Sequence, residues 1–473
     1  MVYLLNKPHL NFDMPTFFKH IAFILLTFGL LGHASTKPNV LFILVDDLGS
    51  RDVGYVTPSL NTPHINQLAK ESLIFSDAYS ATVCTPSRAA ILTGRSPARL
   101  KITSHIPGIG FEKYYERKKS TTKKLYEAEM KDHLPLEEIT IAEAFKSAGY
   151  KTAFFGKWHL SGEGSVFAKN GVVNADWHPQ AQGFDINIGG CAYGQPKKGY
   201  FSPYFNGEMS DGPKGEYLTD RLAQETIDFI SEHKEQPFFA YLSFYSIHTP
   251  LNPKPSVKSR TTDKYDGMIY CMDDAVGKVI QHLNKLKLRE NTLIVFTSDN
   301  GGMKKRPPLR GNKGKAYEGG IRVPLLYSWP SKIRENKTIA TPVACEDFFP
   351  TLLDYLNIDN PVQETELDGI SYASILRGEN SIAPRSLFQH FPHHREGDEF
   401  NGSSTIRTGD WKLIWWHEAD RLELFNLKKD IGEANNLASQ QIERAQSMKK
   451  ELTSWLKKVD ANMARPNPYY KAN

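Results

Sequence analysis

Cys84 begins the segment CTPSRAAILTGR, in which a thiol precedes a Pro and an Arg at the start of a helix-compatible run. Pro86 suits a first helical position and Gly94 is a typical stop signal, so the pattern predicts a short helix between them. Cys84 would then lie just outside the helix N-terminus, where free N–H groups and the helix dipole favour negative charge. A thiol in that place is either a nucleophile or the precursor of one. The alternative is a buried, inert cysteine, the commonest fate of this residue type.

Two apolar runs end in residues with oxygen-bearing side chains. NVLFILVDD ends at Asp46 and Asp47, and TLIVFTSDN ends at Asp299 and Asn300. Continuous apolar runs are typical of buried parallel strands, whose carboxyl ends meet at one edge of the sheet. Hard oxygen donors suit Ca2+ or Mg2+, whereas zinc more often recruits His or Cys. The four residues therefore predict a divalent-cation site, and a turn or a helix cap is the alternative for each pair.

Five further side chains could bind an anion or transfer a proton: Arg88, Lys157, His159, His248 and Lys313. Arg88 follows the thiol by four residues, one helical turn, so it can reach back over that position. Lys157 and His159 alternate at one strand end, and both can face one site only if the strand ends in a bend. His248 ends an apolar strand, and Lys313 lies on a Gly-rich loop that allows close backbone approach to a ligand. A surface cation or a satisfied core His is the alternative for each.

Helix-like and strand-like segments alternate between the two acidic strands. IAEAFKSAGY precedes KTAFFGKWH, and DRLAQETIDFISEH precedes PFFAYLSFYSIHTP. This order predicts an α/β fold with a doubly wound, mostly parallel sheet over residues 35–385. Beyond them, TIRTGDWKLIWW and LELFNL are typical of short antiparallel strands, and IERAQSMKKELTSWLKKV of an amphipathic helix. We therefore predict a small α+β C-terminal subdomain over residues 386–473.

The N-terminal segment FFKHIAFILLTFGLLGHAS combines a basic flank, a short apolar run and small residues at its end. It predicts a signal peptide over residues 1–34, with Met1 or Met14 as the start, and a secreted or periplasmic protein that does not span a membrane after cleavage. The four cysteines are too few for a disulfide scaffold and match no metal-ligand spacing.

The charge of the chain limits its partners. The net charge of +5 at pH 7 is too small and too dispersed to indicate a nucleic-acid partner. One basic stretch, residues 112–133, is interrupted by Glu and Asp. It is either a solvated surface insertion or a docking strip for a polyanion.

The segment CTPSRAAILTGR resembles the C-x-P-S-R-x-x-x-L-T-G-R signature of the formylglycine-dependent sulfatases of the alkaline-phosphatase-like superfamily. GYKTAFFGKWH, residues 149–159, is similar to the second signature of that family. The likeness continues through TPHINQLAKESLIFSDAYS, LRGNKGKAYEGGIRVP and LFNLKKDIGEANNLA, and covers about residues 38–438. The resemblance implies an α/β/α sandwich and the hydrolysis of sulfate esters.

The resemblance also implies a chemistry for residue 84. A formylglycine-generating enzyme would oxidise the exported Cys84 to formylglycine, whose aldehyde hydrates to a diol. One hydroxyl attacks sulfur, and the second then loses its proton, which expels sulfate and restores the aldehyde. Neither a Ser nor a thiol offers that second hydroxyl. Residue 84 and the four strand-end residues would share the cation, and the family favours Ca2+ over Mg2+.

The cationic residues receive their roles in the same way. By resemblance, Arg88 steadies the hydrate and the sulfate, and Lys157 and Lys313 contact the sulfate. His159 would take the diol proton, and His248 would bind the ester oxygen and help to protonate the leaving group. One segment departs from the family: several relatives carry a Ser or His after QGFD, where this chain reads INIGGCAYGQP. That role stays unassigned, with Tyr193 or Gln195 as the candidates.

The substrate depends on loops around the site, because fold and core chemistry do not identify it. A secreted, mildly basic chain fits a sulfated polysaccharide, an algal galactan such as carrageenan or a glycosaminoglycan. Trp177 could offer an aromatic face to a sugar, and three residues could offer cations: His393, His394 and Arg395. The alternative for each is an exposed side chain with no role in binding. Three other functions stay open: a formylglycine-dependent phosphonate or phosphate ester hydrolase, a non-catalytic binder of sulfated glycans, and a thiol-dependent hydrolase.

Overall fold

Strands and helices alternate along the chain. The computed structural model describes residues 37–106, 124–162, 174–333, 336–363, 366–379, 382–394 and 402–471, so the predicted signal peptide lies outside the described residues. The strands are β1 Asn39–Val45, β2 Leu73–Phe75, β3 Ala78–Tyr79, β4 Leu125–Tyr126, β5 Lys151–Gly156, β6 Ile186–Ile188, β7 Phe238–Ser243, β8 Thr292–Ser298, β9 Arg322–Val323, β10 Leu325–Ser328, β11 Lys337–Ile339, β12 Val343–Ala344, β13 Ser386–Phe391, β14 Ser403–Thr408, β15 Trp411–Trp416, β16 Arg421–Asn426 and β17 Arg465–Pro466. The α-helices are α1 Pro63–Lys70, α2 Cys84–Thr93, α3 Pro97–Leu100, α4 Ile141–Ser147, α5 Leu218–Glu232, α6 Lys264–Lys285, α7 Glu318–Ile321, α8 Phe348–Leu356, α9 Ala373–Leu376 and α10 Ile442–Lys458.

The central sheet has eight strands in the order β11-β2-β10-β8-β1-β7-β5-β6. β1 pairs in parallel with β7 and β8, and β5 pairs in parallel with β7 and β6. Only β10 runs antiparallel to its neighbours, β8 and β2, within this sheet. The mostly parallel mixed sheet confirms the predicted α/β class.

Helices cover both faces of the central sheet. All seven residues of β1 are buried, and the six apolar ones, residues 40–45, alternate between two apolar clusters. Residues 40, 42 and 44 pack with α2, α4, α8 and α9, while residues 41, 43 and 45 pack with α1, α5 and α6. A strand buried on both faces has no polar side, which explains the continuous apolar run.

A separate antiparallel sheet follows the sandwich. Strands β13 to β16 are adjacent in chain order, and helix α10 packs Met448 and Leu452 against Ile406 and Leu413 of this sheet. The small C-terminal sheet confirms the predicted fold class, while the domain boundary at residue 385 stays a prediction.

All four cysteines are buried free thiols. Among the described residues, no helix has the length and apolarity needed to cross a membrane.

Buried ion pairs join the C-terminal sheet to helix α7, which directly precedes β9. The Lys412 ammonium of β15 lies 3.0 Å from Glu318 Oε1 and 2.8 Å from Glu433 Oε1. The other Glu433 oxygen accepts the Glu318 backbone N–H at 2.7 Å, and Tyr79 Oη donates to Glu318 at 2.8 Å. All three charged side chains are 0–1% exposed. Lys412 therefore fixes the residues that directly follow the Gly-rich loop of Lys313.

We expect Lys412→Met to lower the free energy of unfolding by about 3–5 kcal/mol, because two buried carboxylates lose their shared cation. Urea unfolding followed by circular dichroism measures the change. Lys449→Met is the matched control: Lys449 pairs with Asp420 at 2.7 Å, but Asp420 is 72% exposed, so the cost is below about 1 kcal/mol. Equal losses in the two variants would contradict the structural role of the buried pair.

Candidate active site

Helix α2 begins at Cys84, two residues earlier than the sequence predicts. Val83 is the extended N-cap residue, so Cys84 lies in the first helical turn and not outside it. Pro86 is the third helical residue and fits there, because N–H groups of the first turn have no intrahelical acceptor. Gly94 ends the helix with a φ of 70°, as predicted. Cys84 is 2% exposed and still lies at the positive end of the helix dipole.

The four oxygen-bearing residues lie together at the carboxyl ends of β1 and β8. These strands are parallel neighbours, with Val45 opposite Ser298, so Asp46 and Asp47 meet Asp299 and Asn300. Ligand atoms of Asp46, Cys84 and Asp299 lie within 4.8 Å of one another. Among the described residues, three buried oxygens at this point have no hydrogen-bond partner: Asp46 Oδ1, Asp47 Oδ2 and Asn300 Oδ1. Converging, unsatisfied hard donors fit a divalent cation.

The carboxylates of this cluster perturb one another. Burial raises the pKa of Asp46, and burial together with the Asp46 charge raises the pKa of Asp299 to about 6. Burial also acts to raise the pKa of Asp47, but Lys313, His248 and Lys157 outweigh it and hold that pKa below its usual value. A divalent cation would relieve the repulsion among these groups.

A cationic side chain lies against each carboxylate. Lys157 Nζ is 2.5 Å from Asp46 Oδ2, Lys313 Nζ is 2.6 Å from Asp47 Oδ1, and Arg88 Nη2 is 2.7 Å from Asp299 Oδ2. Arg88 also donates to the Lys157 carbonyl at 2.6 Å. Arg88 therefore contacts Asp299 of the acidic cluster, a contact that helical spacing alone does not reveal.

The chain bends after β5, as the placement of both Lys157 and His159 requires. Gly156 has a φ of 102° and His159 a φ of 58°. A Cβ on Gly156 would lie 2.0 Å from the Ser243 carbonyl oxygen, so this close approach needs glycine. His159 Nδ1 lies 3.4 Å from Cys84 Sγ and 3.2 Å from Thr85 Oγ1. Burial, followed by Lys157, lowers the pKa of His159 far below its usual value, so the ring is neutral at pH 7.

His248 lies on the more open side of the cluster. Its Nδ1 donates to the Thr249 carbonyl at 2.9 Å, and its Nε2 lies 4.0 Å from Asp47 Oδ2. Burial, and then the Lys313 charge, lower the pKa of His248 to about 3. The side chains of His248 and Lys313 are 17% and 11% exposed, whereas Lys157 and the aspartates are fully buried. Of the side chains in this cluster, those of His248 and Lys313 therefore reach solvent.

Sequence reasoning missed three residues that shape this site. Ser243 Oγ donates to the Lys157 carbonyl and accepts from Arg88 Nη1, each at 2.7 Å. Thr85 contacts His159, and Gly194 lies on the His159 ring, where a Cβ would come within 2.5 Å of Cε1. Ser243 could have been found, because it ends an apolar strand as the acidic pairs do. No pattern in the sequence around Gly194 indicates that it lies against the His159 ring.

Two of the predicted substrate-binding side chains, His393 and Trp177, contact other residues of the chain. His393 is 1% exposed, with Nε2 2.7 Å from Thr103 Oγ1 and Nδ1 3.4 Å from Glu127 Oε2, which corrects the prediction of a cation open to a polyanion. One face of Trp177 stacks on His133 at a ring distance of 3.8 Å. His394 is half-buried and its backbone N–H donates to Glu127. Arg395 lies outside the described residues.

Known proteins match this chain over most of its length. The family model "Sulfatase" matches residues 38–358, and the model "N-sulphoglucosamine sulphohydrolase, C-terminal" matches residues 312–462. A sulfatase of Formosa agariphila is 30% identical over 95% of this chain and 95% of its own. An N-acetylgalactosamine-6-O-sulfatase of Bacteroides thetaiotaomicron is 27% identical over 89% and 94%. The crystal structure of Ps i-CgsB with k-i-k-neocarrahexaose is 29% identical, with a TM-score of 0.74 over 93% of this chain and 95% of that one. With more than half of its length in the first model, the chain belongs to the sulfatase family and is a sulfuric ester hydrolase.

Proposed function

We propose that this sulfatase removes O-sulfate from a sulfated polysaccharide, with Cys84 matured to formylglycine by a formylglycine-generating enzyme. One Ca2+ would be held by Asp46, Asp47, Asp299 and Asn300, together with residue 84. One observation carries the proposal: unsatisfied oxygens from two strand ends converge with Cys84 Sγ in a buried site. Oxygen ligands favour Ca2+ or Mg2+, and the likeness to the family favours Ca2+.

When bound, the cation and the formylglycine hydrate would supply an acidified hydroxyl as the nucleophile for sulfur. His159 Nδ1, 3.4 Å from Sγ of residue 84, is placed to accept a proton from that residue. The Nδ1–H of His248 is bound to the Thr249 carbonyl, which leaves Nε2, 4.0 Å from Asp47 Oδ2, to take up a proton and contact the ester oxygen. Lys157, Lys313 and Arg88 provide fixed positive charge where negative charge develops.

The substrate class is inferred from the relatives and from the predicted export. The matched crystal structure contains a neocarrahexaose, and another relative is named for N-acetylgalactosamine 6-O-sulfate. We propose that the substrate is a carrageenan-type galactan or a glycosaminoglycan. We also propose that a signal peptide directs the protein to the periplasm or out of the cell, where it encounters such polysaccharides. The remaining proposed sugar contacts are the half-buried Trp177 and His394, together with Arg395.

The test is a screen of protein co-expressed with its maturation enzyme on defined carrageenan and glycosaminoglycan oligosaccharides. Ion chromatography measures released sulfate and NMR locates the sulfate that is lost. Sulfate, phosphate and phosphonate esters of one leaving group are compared in parallel. Faster turnover of a phosphorus ester would favour the phosphonate hydrolase. Tight glycan binding without sulfate release would favour the non-catalytic binder.

Gly194→Ala tests the placement of His159. The new Cβ would lie 2.5 Å from Cε1 and 2.6 Å from Nε2, so the ring or the segment must move. We expect turnover of the best substrate to fall about 10²-fold, the typical cost of misplacing a catalytic group by about 1 Å. Gly149→Ala is the control: its φ of 83° makes the substitution strained, but apart from the adjacent residues no heavy atom of the described chain lies within 4 Å of the new Cβ. That variant should lose stability and keep its turnover; full activity of Gly194→Ala would refute the role of this contact.

A further inference from the structure

Asp47 has an unusual backbone conformation for a residue with a side chain. Its φ is 66°, in the left-handed region that non-glycine residues rarely adopt. Such a conformation persists only where the surroundings hold it. The Asp47 N–H donates to Asp299 Oδ1 at 3.2 Å, and its carbonyl accepts from Tyr265 Oη at 2.8 Å. Both polar groups of this peptide segment are therefore held by distant residues.

Tyr265 reaches Asp47 from the first turn of α6. The residue is 5% exposed, and its hydroxyl also lies 2.8 Å from Asp52 Oδ2. A phenol carries one proton, so the hydroxyl is shared between two acceptors. Asp52 therefore orients the same hydroxyl that holds the Asp47 carbonyl.

Asp52 is itself held in a site built around its carboxylate. Arg306 Nε donates to Asp52 Oδ1 at 2.7 Å, and the Gly49 N–H donates to Oδ2 at 2.9 Å. Arg306 also pairs with Asp266 in the first turn of α6. A Cβ on Gly302 would lie 2.0 Å from Asp52 Oδ2 and 2.7 Å from Tyr265 Oη. Only glycine leaves room for this contact, so the three side chains form a closed, specific arrangement.

We propose that Tyr265 is a positioning residue for the cation site, and that Asp52 and Arg306 hold its hydroxyl on the Asp47 carbonyl. The inference rests on the proposed cation site. Tyr265 does not contact the cluster of unsatisfied oxygens itself. It fixes the main chain of Asp47, whose Oδ2 is one of those oxygens. Groups that orient metal ligands set metal affinity, so the effect of Tyr265 is on cation binding.

The test is calorimetric titration of Ca2+ into the metal-free, full-length protein and its Tyr265→Phe variant. We expect Tyr265→Phe to bind Ca2+ about 10- to 100-fold more weakly, the usual cost of losing such a partner. Tyr270→Phe is the matched control. Tyr270 lies on the same helix, is 4% exposed, and accepts the Asn61 N–H at 3.4 Å, away from the cation site. Removal of the Tyr270 hydroxyl should leave the Ca2+ affinity unchanged.

Arg306→Gln is a second variant, at a loop residue. It should also weaken Ca2+ binding, by a smaller factor than Tyr265→Phe. Circular dichroism and thermal unfolding without cation establish that each variant is folded. Wild-type affinity in Tyr265→Phe overturns this inference alone, and so does an equal loss in Tyr265→Phe and Tyr270→Phe, which would indicate general loosening of α6. A wild-type protein that binds neither Ca2+ nor Mg2+ overturns the proposed cation site and the inference with it.

Discussion

Cys84→Ala is expected to lower the rate of sulfate release by about four to six orders of magnitude, the scale seen when an enzyme loses its nucleophile. Cys84→Ser should release no sulfate in repeated turnover, because a single hydroxyl leaves the sulfate attached to the protein after one attack. The Ser side chain would start from the same first turn of α2, next to His159, so the approach of the substrate should be preserved. Mass spectrometry of the peptide that contains residue 84 distinguishes formylglycine, thiol and a sulfated Ser.

Cys271→Ser is the matched control for this substitution. Cys271 is a buried free thiol on α6, whose Sγ accepts the Lys254 N–H at 3.4 Å, and it takes no part in the site. Turnover in this variant should match the wild type. Full activity of a protein whose Cys84 is still an unmodified thiol, or its inhibition by a thiol alkylator, would contradict the proposed maturation and favour a thiol-dependent hydrolase.

Local sequence pattern was enough to predict that the oxygen-bearing residues at two strand ends lie together. Asp46 and Asp299 end apolar runs, and parallel strand polarity brings such ends to one edge whatever their separation in the chain. The bend after β5 could also be predicted, since Lys157 and His159 cannot otherwise face one site. In each case the prediction depended on backbone geometry, which short segments determine.

Contacts made across the fold could not be predicted from these patterns. Helical spacing places Arg88 one turn after residue 84, but its guanidinium binds Asp299, 211 residues away. His393 lies in a polar, charged segment that is typical of a surface loop. It is buried because Thr103 and Glu127, from a distant part of the chain, satisfy both ring nitrogens. Burial of a polar residue depends on such partners, and no local periodicity reports them.

Asp46→Asn is expected to abolish measurable Ca2+ binding and to lower turnover at least about 10³-fold, equivalent to a loss of about 4 kcal/mol of transition-state stabilisation. The amide removes a charge from a cluster where Asp46 Oδ1 has no hydrogen-bond partner in the described part of the chain, and it leaves the buried Lys157 ammonium without its carboxylate at 2.5 Å. Chelation of the wild type by EDTA should likewise stop turnover, and added Ca2+ should restore it. Calorimetry and sulfate release measure both effects.

Asp273→Asn separates this site from the other acidic cluster among the described residues. Asp273 lies near His64 and Asp274, but its oxygens already accept the backbone N–H groups of Ile65 and His64 at 2.8 and 3.3 Å. It therefore stabilises the start of α1, and its substitution should lower thermal stability while leaving Ca2+ affinity and turnover unchanged. A cation affinity that survives Asp46→Asn and is lost in Asp273→Asn would place the ion in the second cluster. Unsatisfied oxygens, and not acidity alone, are what distinguish a cation site from a capped helix, because a carboxylate that already accepts two N–H groups gains little from an ion.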